Sequence, residues 1–70
     1  MEGKIVLAEV RPSSSMYGNV ELYAITDHEE EIEIPFFSDE IYVFPDRVIG
    51  MTKQQAVHYK QALDVAYLQS

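Results

Sequence analysis

The 70-residue chain has no cysteine and no tryptophan, and it holds only three glycines, three prolines and five basic residues. The missing cysteine excludes disulfides and thiol chemistry. It also fits a reducing compartment, so the cytoplasm is the expected location. The basic residues Lys4, Arg11, Arg47, Lys53 and Lys60 are scattered. A protein that displaces counterions from phosphates needs a concentrated cationic surface. Direct nucleic-acid binding is therefore disfavoured, as is an anionic membrane surface. No long hydrophobic run occurs: Ile5 to Ala8 is too short for a signal-peptide core and is followed by Glu9. No segment approaches a membrane span. The glycines Gly3, Gly18 and Gly50 lie too far apart to cradle a phosphate.

What is present is acid. Twelve Asp and Glu against five Lys and Arg leave a net charge of -7. Apolar residues make up 47%, so the chain can fold despite its charge. The length suits one domain over residues 1–70, burying roughly 60% of its unfolded surface.

Three runs have strand character. Lys4 to Arg11 carries apolar residues on both faces, which predicts a central or doubly covered strand ended by Pro12. Tyr17 to Thr26 sets Val20, Leu22 and Ala24 against Asn19, Glu21, Tyr23 and Ile25, a half-buried strand. The link Pro12 to Met16 suits an antiparallel hairpin. Glu30 to Phe37 sets Ile32, Ile34 and Phe36 against Glu31, Glu33 and Pro35, a strand with one face in water, and Pro35 marks it as an edge. A fourth short strand is predicted over Ile41 to Phe44, with a little extended structure at Val48 and Ile49.

A helix follows. Thr52 and Gln55 have capping-box spacing, and Met51 and Ala56 occupy the hydrophobic-staple positions. Ala56, Tyr59, Ala62, Leu63, Ala66 and Tyr67 fall in one arc that should lie on the sheet. Val57, Val65 and Leu68 fall outside it and are candidate contacts to a second subunit. The expected class is α+β: a small antiparallel meander sheet of three to four strands with one C-terminal helix packed on one face. A small, partly closed β-barrel plus helix is the alternative.

No residue set names a reaction. Ser13, Ser14 and Ser15 share one loop without a nucleophile-elbow pattern, and only His28 and His58 are available as histidine bases. A carboxylate pair would need a substrate cleft. Asp27, His28, Glu29 and Glu31 are nearly consecutive, and such neighbours do not all point at one ion without a dedicated loop. No catalytic residue, cofactor or metal is expected.

The acidic segment is the strongest functional signal. Asp27, Glu29, Glu30, Glu31, Glu33, Asp39 and Glu40 hold seven of the twelve acids, with no Lys or Arg between Asp27 and Glu40. In a strand, Glu29, Glu31 and Glu33 would project from one face about 6.6 Å apart. Such a row can imitate a nucleic-acid backbone or pair with an arginine-rich patch. The plain alternative is a solvated edge strand protected from aggregation by charge. Five tyrosines accompany it, a residue favoured at interfaces. Tyr23 and Tyr42 are expected to border the row, and Tyr59 and Tyr67 to be core. The expectation is a small acidic protein-binding module that occupies a basic or nucleic-acid-binding surface of a target, in the style of compact inhibitors such as those carried by phages. That is an analogy of type, not of residues. A structural role through a homodimer is the second expectation.

Overall fold

A computed structural model describes residues 3–69. The chain forms β1 (Ile5–Pro12), β2 (Val20–Thr26), β3 (Glu31–Phe36), α1 (Pro45–Val48) and α2 (Lys53–Gln69). The strands make one antiparallel sheet in the order β1-β2-β3. In β2 and β3, alternation alone decides the faces. Leu22 lies opposite Ile34 and Ala24 opposite Ile32, and all four are buried. A slip of one residue would turn both apolar rows into water, which pins the register. The sheet is open, with β1 and β3 as its edges, so the barrel alternative does not hold.

β1 is an edge strand covered on one face, neither the central nor the doubly covered strand expected. Its two-sided apolarity has another cause. Ile5 pairs with Thr26, but Leu7 already pairs with Ile25, so one extra residue enters at a bulge. The bulge reverses the phase of the strand. Ile5 is buried before it, and Ala8 and Val10 pack on the core after it. Val6 and Leu7 are left 58% and 57% exposed. The start of this edge is covered by later chain. The Ile5 N–H donates to the Met51 carbonyl at 2.7 Å, and the Gly50 N–H to the Ile5 carbonyl at 2.8 Å. Gly50 takes φ +88°, a conformation that glycine adopts without strain.

The two turns are fixed by different means. In the β1–β2 loop, Gly18 packs its backbone on Phe36. A Cβ there would stand 2.4 Å from the Phe36 N and O atoms, so close approach is what requires glycine. Next to it the Ser38 N–H donates to Asn19 Oδ1 at 3.0 Å. In the β2–β3 hairpin the buried Thr26 hydroxyl accepts the N–H groups of His28 and Glu30. The Glu29 N–H closes the turn on the Thr26 carbonyl at 2.9 Å, with Glu29 itself at φ 62°.

The predicted fourth strand is absent. The N–H groups of Glu40 and Ile41 both donate to the Phe37 carbonyl, which makes a turn and not a ladder. Val43 is fully buried as a plug in the core. Pro45 then opens the one-turn helix α1 at its first position, where a missing N–H costs nothing, and Val48 is helical rather than extended.

α2 begins as expected. The Thr52 N–H donates to Gln55 Oε1 at 2.9 Å, and the Gln55 N–H to Thr52 Oγ1 at 3.2 Å. Met51 packs on the core beside the buried Ala56. The apolar arc is only half used, however. Tyr59 and Leu63 reach the core, whereas Ala62, Ala66 and Tyr67 are exposed. The outer strands of a three-stranded sheet lie only about 10 Å apart. Val43 and Val48 already cover part of that face. A helix of about 25 Å therefore docks by its first turns and extends past the sheet. Val57 also packs on the core, so of the three residues assigned to an outer contact only Val65 and Leu68 are exposed, at 51% and 79%.

Candidate protein-binding surface

The fold separates the acidic segment into three places. Asp27, Glu29 and Glu30 sit in the β2–β3 turn. Asp27 serves the fold there, since its Oδ1 accepts the Lys4 N–H at 2.9 Å. Glu29 is held in the left-handed region and leaves the strand, so it does not continue a row with Glu31 and Glu33. Asp39 and Glu40 lie in the turn beyond the other end of β3. Tyr42 follows them, with its ring edge-on to Phe36 at 5.9 Å and to Phe44 at 4.7 Å. It is therefore distant in the sheet from Glu31, which Tyr23 borders instead.

Glu31 and Glu33 remain together, and β-pairing gives them neighbours that the linear sequence does not show. Across the sheet run the rows Leu7, Ile25, Glu31; Glu9, Tyr23, Glu33; and Arg11, Glu21, Pro35. All nine face away from the core. Both helices and the Val43 plug pack on the opposite face, so among the described residues no element covers this one. Alternation alone places Glu21 and Tyr23 outward. Arg11 and Glu9 join them only through the β1 bulge and the pairing register.

Tyr23 is the centre of this face. Its hydroxyl donates to Glu31 Oε1 at 2.7 Å. Losing that donated proton would break the bond, so the hydrogen bond raises the phenol pKa above 10.0. Partial desolvation and the negative charges of Glu31 and Glu33 add to the rise, and Arg11 opposes it. The Arg11 guanidinium lies 4.0 Å over the Tyr23 ring centre. It reaches Glu21 Oε2 at 3.4 Å and Glu33 Oε1 at 3.5 Å. Beside it is a shallow depression of about 130 Å³ lined by Ser13, Ser15, Glu21, Glu33 and Pro35.

Four carboxylates thus lie on this face beside a single guanidinium, which contacts two of them, over an aromatic and aliphatic floor. Such a surface can accept cationic side chains through charge-assisted hydrogen bonds and stacking. Among the described residues, no group of three or more His, Asp or Glu is placed to hold a metal ion. No helix there is long and apolar enough to cross a membrane. In comparisons with known proteins, no family model, curated sequence or solved structure matches this chain.

Proposed function

We propose that this chain is a small acidic module that acts by binding rather than by catalysis. Its outer sheet face occupies a basic surface of a target protein, in the manner of an inhibitor that takes the place of a nucleic-acid backbone. One observation carries this reading. The uncovered face sets Glu9, Glu21, Glu31 and Glu33 around Tyr23 with only Arg11 to balance them. Carboxylates of this density steer a cationic partner and fix its orientation. The proposed compartment is the cytoplasm.

Three paired charge reversals test it, one for each acidic group: Glu31→Lys with Glu33→Lys, Glu29→Lys with Glu30→Lys, and Asp39→Lys with Glu40→Lys. Each is compared with the wild type in affinity capture from host lysate at low and high salt. The expected result is a partner lost at high salt and lost only with the first pair. A partner retained by the first pair moves the site elsewhere and ends this reading.

A second reading rests on Val65 and Leu68, which α2 carries beyond the sheet and leaves exposed. It is self-association through the end of that helix. Light scattering on concentrated protein decides it, and a monomer rejects it.

A further inference from the structure

We infer that Arg11 occupies, within the chain, the place taken by an arginine of the partner, so that the outer face selects guanidinium over ammonium and Arg11 is its internal competitor. This rests on the reading of the outer face as a site for a basic partner.

The argument starts from how Arg11 is held. Its Cζ stands 4.0 Å over the Tyr23 ring centre, while Nη2 contacts carboxylates on two different strands, Glu21 on β2 and Glu33 on β3. Both carboxylates are met by one nitrogen, Nη2, so it is the placement of the planar group over the ring that marks this as guanidinium chemistry. An ammonium offers a point charge without a plane. The nest of Tyr23, Glu21 and Glu33 is therefore shaped to that group.

The hold is loose. Well-formed guanidinium–carboxylate contacts run at about 2.7–2.9 Å. Those of Arg11 are 3.4 and 3.5 Å, and although the Glu21 side chain is only 13% exposed, those of Arg11 and Glu33 are 41% and 58% exposed. The Arg11–Glu33 pair is open enough to contribute little to folding and to exchange readily. The adjoining depression supplies a route for an incoming side chain. It is walled by the same two carboxylates, Glu21 and Glu33, with the Ser13 and Ser15 chain segment and the Pro35 ring completing it. An incoming arginine there meets the acceptors that Arg11 now uses. Removing Arg11 frees them.

The test titrates octa-arginine and octa-lysine peptides into the full chain at low salt, reading fluorescence anisotropy of the labelled peptides. Four proteins are compared: wild type, R11K, R11Q and R47Q. R11K keeps the net charge but removes the planar group that stacks on Tyr23. R47Q removes one positive charge from α1, away from the face. The wild type is expected to bind octa-arginine more tightly than octa-lysine, in a salt-dependent way. R11K and R11Q should both tighten octa-arginine binding by about threefold to fivefold, the scale of one exposed ion pair, while R47Q shifts it less than R11K does. If R11K and R11Q tighten binding no more than R47Q, Arg11 is not a competitor and the inference is overturned, with the outer face still a basic-partner site. If the wild type binds neither peptide, the outer-face reading fails and the inference with it.

Discussion

At the residue scale, two positions carry strain or coupling that a substitution can read. Glu29 closes the β2–β3 turn at φ 62°, a region that costs an ordinary L-residue roughly 1–2 kcal/mol and a glycine little. A turn followed by a left-handed residue is a common hairpin form, and glycine is its usual occupant. Glu29→Gly is therefore expected to raise unfolding stability by about 1 kcal/mol in urea denaturation. It also removes one charge from a crowded acidic turn. Tyr23 is coupled to Glu31 through its donated hydroxyl, with its folded pKa above the reference 10.0. The sign follows from the neutral phenol being the form that the fold favours. Its contribution is complete below pH 10 and lost as pH rises through the folded value. The stability difference between wild type and Tyr23→Phe should thus be constant from pH 7 to 9 and shrink above pH 10. A difference that grows in that range would contradict the assignment. Ultraviolet titration should show the phenylalanine variant to lack a late-ionising tyrosine.

At the element scale, α2 is held by its first turn more than by its length. The reciprocal Thr52–Gln55 hydrogen bonds, the Met51 contact and the buried Ala56 all lie at its start. Thr52→Ala should cost about 1 kcal/mol, the usual scale for losing an N-cap side chain. Leu68→Ala should leave the stability of the monomer nearly unchanged, because Leu68 is 79% exposed. Thermal melts of the two variants distinguish a helix fastened at one end from one laid along the whole sheet, which would make both changes costly. The β1 bulge has a similar local logic. One inserted residue moves Leu7 outward and brings Arg11 onto the face that carries Glu21 and Glu33. Without it, Arg11 would point to the core side.

At the scale of the whole molecule, charge is segregated. Among the described residues, α2 carries Lys53 and Lys60 against one acid, Asp64, whereas β3 and its flanking turns carry acids without a Lys or Arg. The core beneath is small, with nine buried apolar residues among those described. Self-repulsion is therefore a sizeable fraction of a modest stability. Raising sodium chloride from 20 to 500 mM (about a fivefold shorter screening length) should raise the melting temperature by a few degrees. A fall or no change would show that the ion pairs, chiefly Arg11 with Glu21 and Glu33 and Lys60 with Asp64, outweigh the repulsion. The same salt that stabilises the free protein should weaken a basic partner, so the two effects separate folding from binding.

Period-two alternation, Pro35 and the capping box are local, and they sufficed for β2, β3, the assignment of β3 to an edge and the start of α2. Each rests on neighbours a few residues apart, where side-chain direction and backbone hydrogen bonding follow from the residues themselves. The Asp27–Glu40 acid density was equally legible, since it is composition. Its division among a turn, a sheet face and a second turn was not, because φ at Glu29 and the turn at Phe37 depend on what each hydrogen-bonds. The place of β1 at the edge, the bulge that reverses its phase, the use of Val43 as a plug instead of a strand, the half-docked helix and the meeting of Arg11 with Tyr23 and Glu33 are decided by tertiary structure. They depend on how much sheet face remains uncovered and on which strand registers let the apolar rows align, and those quantities exist only once the chain has come together.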